Sequence, residues 1–171
     1  MARLKLSLDI INTLKAKFKE DQGVNYTTFE ILAAHIWRCA CLACGLSDDQ
    51  ETKLYMPVNG QSRLNPPLPY EYFGNFIFNA TPIVLTGDIQ LELLIYTVKI
   101  IHEASKRRDD VSVLAYLGQY DSDLTVVKQR VPIHKYPNLT IVSWTEMLIY
   151  GSDFGWDSPI YMGWTTLSSL L

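Results

Sequence analysis

A chain of 171 residues, 48% hydrophobic and 19% charged, can bury a real core, which argues against a disordered tail. Its formal charge of −3 gives no electrostatic case for nucleic acid. The most apolar stretch, Phe76 to Ile101, is broken by Asp88, Glu92 and Lys99, so no segment reads as a membrane span. The N-terminal MARLKLSLDII lacks a sustained apolar run and a small-residue cleavage site, so it is not a signal peptide. The three cysteines, crowded at 39, 41 and 44, read as reduced thiols in a cytoplasmic setting.

In chain order, Leu4, Leu6 and Leu8 alternate with polar residues and predict an opening strand. A helix follows with Ile11, Leu14 and Phe18 on one side and Lys15, Lys17 and Lys19 mostly outward, ending at Gly23. Thr27-Thr28-Phe29-Glu30 predicts a capping box, because the Thr27 hydroxyl and the Glu30 carboxylate can each satisfy a free backbone donor. The helix it opens carries Phe29, Leu32, Ile36, Cys39 and Ala43 at helical spacing and stops at Gly45. Leu54, Met56 and Val58 predict a half-buried strand over 53–59. Pro66, Pro67 and Pro69 make 60–72 an extended loop, and 73–84 then reads as one strand. A helix is predicted over 89–107, a short second one over 109–119, and a strand over 139–144 that 147–150 continues. With no internal repeat, the chain reads as one mixed α/β unit spanning 1–171.

Cys41 and Cys44 share one face of the second helix and His35 shares another with Cys39, so no face gathers the four ligands of a structural metal site; no metal is expected. His35, His102 and His134 are followed four residues on by Cys39, Lys106 and Asn138, never by aspartate. No nucleophile elbow, GxGxxG or P-loop is present, so no bound cofactor is expected. The most unusual local feature is the turn from Ser152 to Pro159, where Gly155 permits a sharp bend and Phe154 and Trp156 are expected to flank it as large apolar anchors. Asp153, set among aromatics, needs a cation or several hydrogen-bond donors to stay charged.

Asp153-Phe154-Gly155-Trp156 matches the first four residues of DFGWG, a signature of the BAHD acyltransferases. The chain also resembles the plant hydroxycinnamoyl-CoA:shikimate/quinate hydroxycinnamoyltransferases of that family along 26–41, 46–50, 59–64, 73–75, and from Pro137-Asn138-Leu139 to Ser143-Trp144. These blocks keep the family's order and nearly its spacing up to Gly163. The resemblance implies a partial, chloramphenicol acetyltransferase-like half-domain corresponding to the C-terminal half of the family fold and truncated at both ends. It also implies the reaction, in which a histidine of an HxxxD motif removes a proton from an acceptor hydroxyl that attacks an acyl-CoA thioester. That histidine belongs to the family's N-terminal half, so no catalytic residue is assigned in this chain.

The resemblance further implies partners: an acyl-CoA co-substrate, a small hydroxylated acceptor such as shikimate or quinate, and pairing with an N-terminal half or self-association. By family position, Lys15 and Lys17 would lie near the CoA phosphates, with solvated surface as the plain alternative. Arg130 and Trp144 would line the acceptor pocket, although Arg130 sits one residue closer to the Pro-Asn-Leu block than in the subfamily and Trp144 could simply be core. Arg63 would pair with Asp153. The chain departs from the pattern at Gln61 and Glu146, where arginine is usual, and at Asp157, where glycine is usual. If position 157 requires positive φ, aspartate costs about 1 kcal/mol there. Two readings follow: a fragment of a hydroxycinnamoyl transferase, inactive alone, or a diverged, truncated, non-catalytic homologue that binds a ligand or partner.

Overall fold

The computed structural model describes residues 5–18, 24–61, 63–64, 66–74, 76–106, 136–145, 147, 149–151, 153 and 155–161. Among the described residues the first element is helical rather than extended. Helix α1 (Leu8–Ala16) is capped by Ser7, whose Oγ accepts from the Ile10 amide at 3.4 Å. A serine cap with Asp9 in the first turn prevails over a brief apolar alternation, so Leu8 is helical and the expected strand is absent from there on. The helix ends at Ala16, short of the predicted stop.

Helix α2 (Thr28–Ala43) has the predicted cap and stop, but it buries Ile31, Ala34, Trp37 and Cys41, while Ile36, Cys39 and Ala43 of the expected apolar face are exposed. Thr27 Oγ1 accepts from the Glu30 amide at 3.2 Å, and Glu30 Oε2 accepts from the Thr27 amide at 2.7 Å. At the other end Gly45 adopts φ +58, the left-handed geometry in which glycine carries no Cβ penalty. Its amide donates to Leu42 O and that of Leu46 to Cys41 O, a pattern that satisfies the last free carbonyls.

Strand β1 (Glu51–Asn59) is the centre of the sheet. Strands β2 (Ile77–Ala80) and β3 (Ile83–Leu85) pair antiparallel with it in one continuous register, from Asn59–Ile77 to Glu51–Leu85. The single strand expected over 73–84 is thus later in starting and split at Thr81-Pro82, because proline has no amide to donate to the ladder. Strand β4 (Leu139–Thr140) runs parallel to β1, following a cis Tyr136–Pro137 peptide. It is shorter than the predicted 139–144. Ser143 Oγ accepts from the Thr145 amide and lies 2.8 Å from Thr145 Oγ1, a local turn that competes with further pairing. Residues Ile149–Gly151 form a 3-10 turn instead of continuing a strand.

The predicted helix over 89–107 divides into α3 (Thr86–Leu91) and α4 (Leu94–Lys106). At the break Glu92 is extended, and Arg38 of α2 donates to Gln90 O at 2.6 Å and Glu92 O at 3.1 Å. A guanidinium that supplies donors to carbonyls left open at the break allows the helix to end there.

Thr52, Leu54 and Met56 of β1 point beneath the helices and are buried against Trp37, Ile89, Val98 and Ile101. Each such apolar side chain contributes about 1.5–3 kcal/mol on burial. The residues of opposite parity form the other sheet face, where Ile77, Ile83 and Leu85 remain exposed. The short helix expected over 109–119 lies outside the described residues.

Candidate functional site

The turn at 153–159 is organised by its own carboxylates. Asp153 Oδ1 accepts from the Gly155 amide at 2.7 Å and the Asp157 amide at 3.1 Å, while Asp157 Oδ1 accepts from the Ser158 amide at 2.8 Å. Asp153 is exposed, and its two backbone donors tie the turn together. Gly155 has φ +90 and Asp157 φ +79, so the backbone at 157 does take the left-handed conformation on which the sequence expectation was conditional. Asp157→Gly relieves about 1 kcal/mol of backbone strain but removes the acceptor of the Ser158 amide, so the free energy of unfolding read from chemical denaturation should rise by less than about 1 kcal/mol. Trp156 is 90% exposed and does not act as an anchor among the described residues, while Phe154 lies outside them. Half-buried Arg63 holds its guanidinium carbon 5.6 Å above the Phe78 ring centroid, a cation–π contact.

Lys15 and Lys17 project to different sides of α1. Lys15 lines a cavity of about 210 Å³ with Phe18, Asn25, Tyr26 and Ile31. Lys17 lines another of about 510 Å³ with Leu14, Phe18, His35, Leu93, Leu94 and Ile95. Two residues apart on a helix is about 200° of rotation, so the pair does not converge on one anion. Trp144 is half-buried just beyond β4, and its carbonyl accepts from the Met147 amide at 3.1 Å. Arg130 and His134 lie outside the described residues.

One polar cluster was not anticipated from the sequence. The capping carboxylate of Glu30 uses only Oε2 for the cap. Its Oε1 lies 2.9 Å from His102 Nδ1, placed to donate, and 3.0 Å from Ser105 Oγ. Glu30 and His102 are both largely buried, and the His102 ring meets Tyr26 edge-on at a centroid distance of 5.1 Å. His102 also lines a cavity of about 510 Å³ with Asn25, Lys99 and Lys106. The only sequence signal was the spare oxygen of a capping-box glutamate.

Cys41 is buried, whereas Cys39 and Cys44, the latter the C-cap of α2, are exposed, and all three are free thiols. Among the described residues no three histidine, cysteine or acidic side chains gather as metal ligands. Burial pushes the Cys41 thiol above its ordinary value of 9.0, opposed by a hydrogen bond to Thr52 and reinforced by the neighbouring Cys44. The unfolded chain thus loses this proton first as pH rises, so the folded state loses stability above about pH 9 and gains nothing from this group below it. In thiol labelling of the native chain near pH 8, Cys39 and Cys44 should react and Cys41 should react only on unfolding.

Residues 1–169 match the model of the Transferase family. This chain belongs to the BAHD acyltransferase family. It is 49% identical over 163 residues to shikimate O-hydroxycinnamoyltransferase of Nicotiana tabacum, covering 93% of this chain and 37% of the tobacco protein. It is 40% identical over 169 residues to rosmarinate synthase of Plectranthus scutellarioides, covering 95% of this chain and 39% of that protein. The BAHD chain therefore spans well under half the length of these relatives.

Solved structures share the fold of this BAHD chain. Vinorine synthase superposes with a TM-score of 0.66 at 21% identity, over 93% of this chain and 36% of that one. TRI101 of F. sporotrichioides, solved with coenzyme A and T-2, superposes with a TM-score of 0.65 at 17% identity, over 87% of this chain and 36% of that one. The mixed helix-and-sheet architecture is accordingly a partial BAHD fold. Among the described residues no helix is long and apolar enough to cross a membrane.

Proposed function

We propose that this chain serves an acyl-CoA-dependent O-acyltransferase that moves a hydroxycinnamoyl group to a shikimate- or quinate-like hydroxyl, and that alone it does not turn over. The observation that carries the reading is the 49% identity to the tobacco shikimate O-hydroxycinnamoyltransferase across almost the whole chain. The chain contributes the acceptor side through Trp144 and Arg130, a stiff turn at 153–157 that Arg63 braces by pairing with Asp153, and cationic contacts to CoA from Lys15 and Lys17. The proton-accepting histidine comes from outside, since no histidine here stands four residues before an aspartate. No resident cofactor is required, and the setting is cytoplasmic.

The exposed Ile77, Ile83 and Leu85 on one sheet face support residues 1–171 acting as one partial domain that docks on an N-terminal half or on itself. A second reading, a non-catalytic homologue that binds ligand or partner, draws support from aspartate rather than glycine at left-handed position 157. Release of free CoA from p-coumaroyl-CoA in the presence of shikimate tests the proposal. The isolated chain is expected to give only the background rate, and any turnover that a histidine substitution abolishes would contradict it.

A further inference from the structure

The exposed face of α2 carries a thiol and an imidazole one turn apart. Cys39 Sγ lies 3.8 Å from His35 Nε2, and both side chains are exposed. The capping box at Thr27–Glu30 and the Arg38 clamp on Gln90 O and Glu92 O hold the helix that presents them. His35 is also a wall of the 510 Å³ cavity between α1 and the start of α4, whose other walls are Leu14, Phe18, Leu93, Leu94 and Ile95, with Lys17 as its cation. That volume is in the range of small-molecule sites. A thiol beside a base is the arrangement that generates a sulfur nucleophile, apolar walls suit an aromatic acyl group, and a lysine suits a phosphate-bearing carrier. Neither other cysteine matches it: Cys41 is buried, and among the described residues Cys44 has no imidazole contact.

We propose that Cys39, with His35 as its base, is an S-acylation site that accepts the acyl group of an aromatic acyl-CoA thioester. His35 Nε2 takes the thiol proton and Cys39 Sγ attacks the thioester carbonyl. The carbon–sulfur bond to CoA then breaks, and the CoA thiolate leaves with the proton returned by His35. One thioester replaces another, with no change of oxidation state. The choice of donor rests on the acyl-CoA reading above, whereas the nucleophile rests on the Cys39–His35 geometry.

Incubating the full chain with cinnamoyl-CoA at neutral pH and reading the intact mass tests this. One cinnamoyl addition is expected, mapped to the Cys39 peptide and removed by neutral hydroxylamine. Cys39→Ser should abolish it and Cys44→Ser should leave it unchanged. His35→Gln should slow it at least about tenfold and move its pH–rate profile toward alkaline pH, which loss of packing would not do. Both positions are exposed, so circular dichroism should show each variant folded. An adduct that survives Cys39→Ser, an unchanged rate in His35→Gln, or alkylation by iodoacetamide without any acylation by cinnamoyl-CoA would overturn the proposal. If Cys39 is not acylated although a chimera carrying this chain transfers acyl groups to shikimate, this inference fails and the functional reading stands; the opposite pair of results fails the reading alone.

Discussion

Glu30→Ala is expected to lower the free energy of unfolding by about 3 kcal/mol, moving the urea midpoint down at unchanged slope. The substitution removes both halves of one carboxylate's work. Without Oε2 the Thr27 amide loses its partner and α2 loses half of its capping box, a loss of about 1 kcal/mol. Without Oε1, His102 Nδ1 loses its acceptor in a largely buried setting, which costs about 2 kcal/mol, while Ser105 Oγ keeps His102 O as an acceptor at 2.8 Å. Glu30→Gln keeps an oxygen for the cap and should lose about 1 kcal/mol. A double-mutant cycle with His102→Ala isolates the pair, because a side chain already without its partner has less to lose. Additive losses would mean that the carboxylate and the imidazole are not coupled.

Thr52→Val should cost about 2 kcal/mol despite its near-equal volume. The Thr52 hydroxyl accepts from Trp37 Nε1 at 3.1 Å and donates to Pro137 O at 3.1 Å, joining α2, β1 and the entry to β4 at one atom. Valine leaves an indole N–H without an acceptor beside the most completely buried side chains, since Trp37 and Thr52 are both 0% exposed. It also releases one tie on the segment before β4, which is held as well by the Lys53 amide to Asn138 Oδ1 at 3.2 Å and Tyr136 Oη to Cys44 O at 3.5 Å. Faster proteolysis near Tyr136–Ile141 should accompany the stability loss. Stability equal to that of the parent chain would mean that Trp37 finds another acceptor.

What the sequence made legible was local. The capping box, the Gly45 stop and the inward alternation of Leu54 and Met56 depend on neighbours within a few positions, so a residue pattern carries them. The departures have equally local causes that were open to reading: Ser7 as a helix cap, and Pro82 as a residue with no amide for the ladder. The Arg38 clamp and the Glu30–His102 contact join residues 52 or more positions apart, and no spacing rule reports such pairs from one sequence. At the candidate site, the left-handed requirement at 157 was legible because glycine is usual there in the resembling family. That Lys15 and Lys17 diverge follows from helix geometry, because Lys15 lies in the last turn of α1 and Lys17, its C-cap, keeps right-handed helical backbone angles. Arg130 and Phe154, both assigned from the resemblance, lie outside the described residues.

The most direct measurement of the central claim is a chimera in which this chain replaces the homologous 37% of the tobacco shikimate O-hydroxycinnamoyltransferase, assayed for shikimate-dependent release of CoA from p-coumaroyl-CoA. The account predicts a folded chimera that transfers the acyl group to shikimate and loses the activity when the tobacco portion's HxxxD histidine is replaced. A folded, soluble chimera that binds p-coumaroyl-CoA but releases no CoA above background would contradict it and leave the chain a non-catalytic homologue.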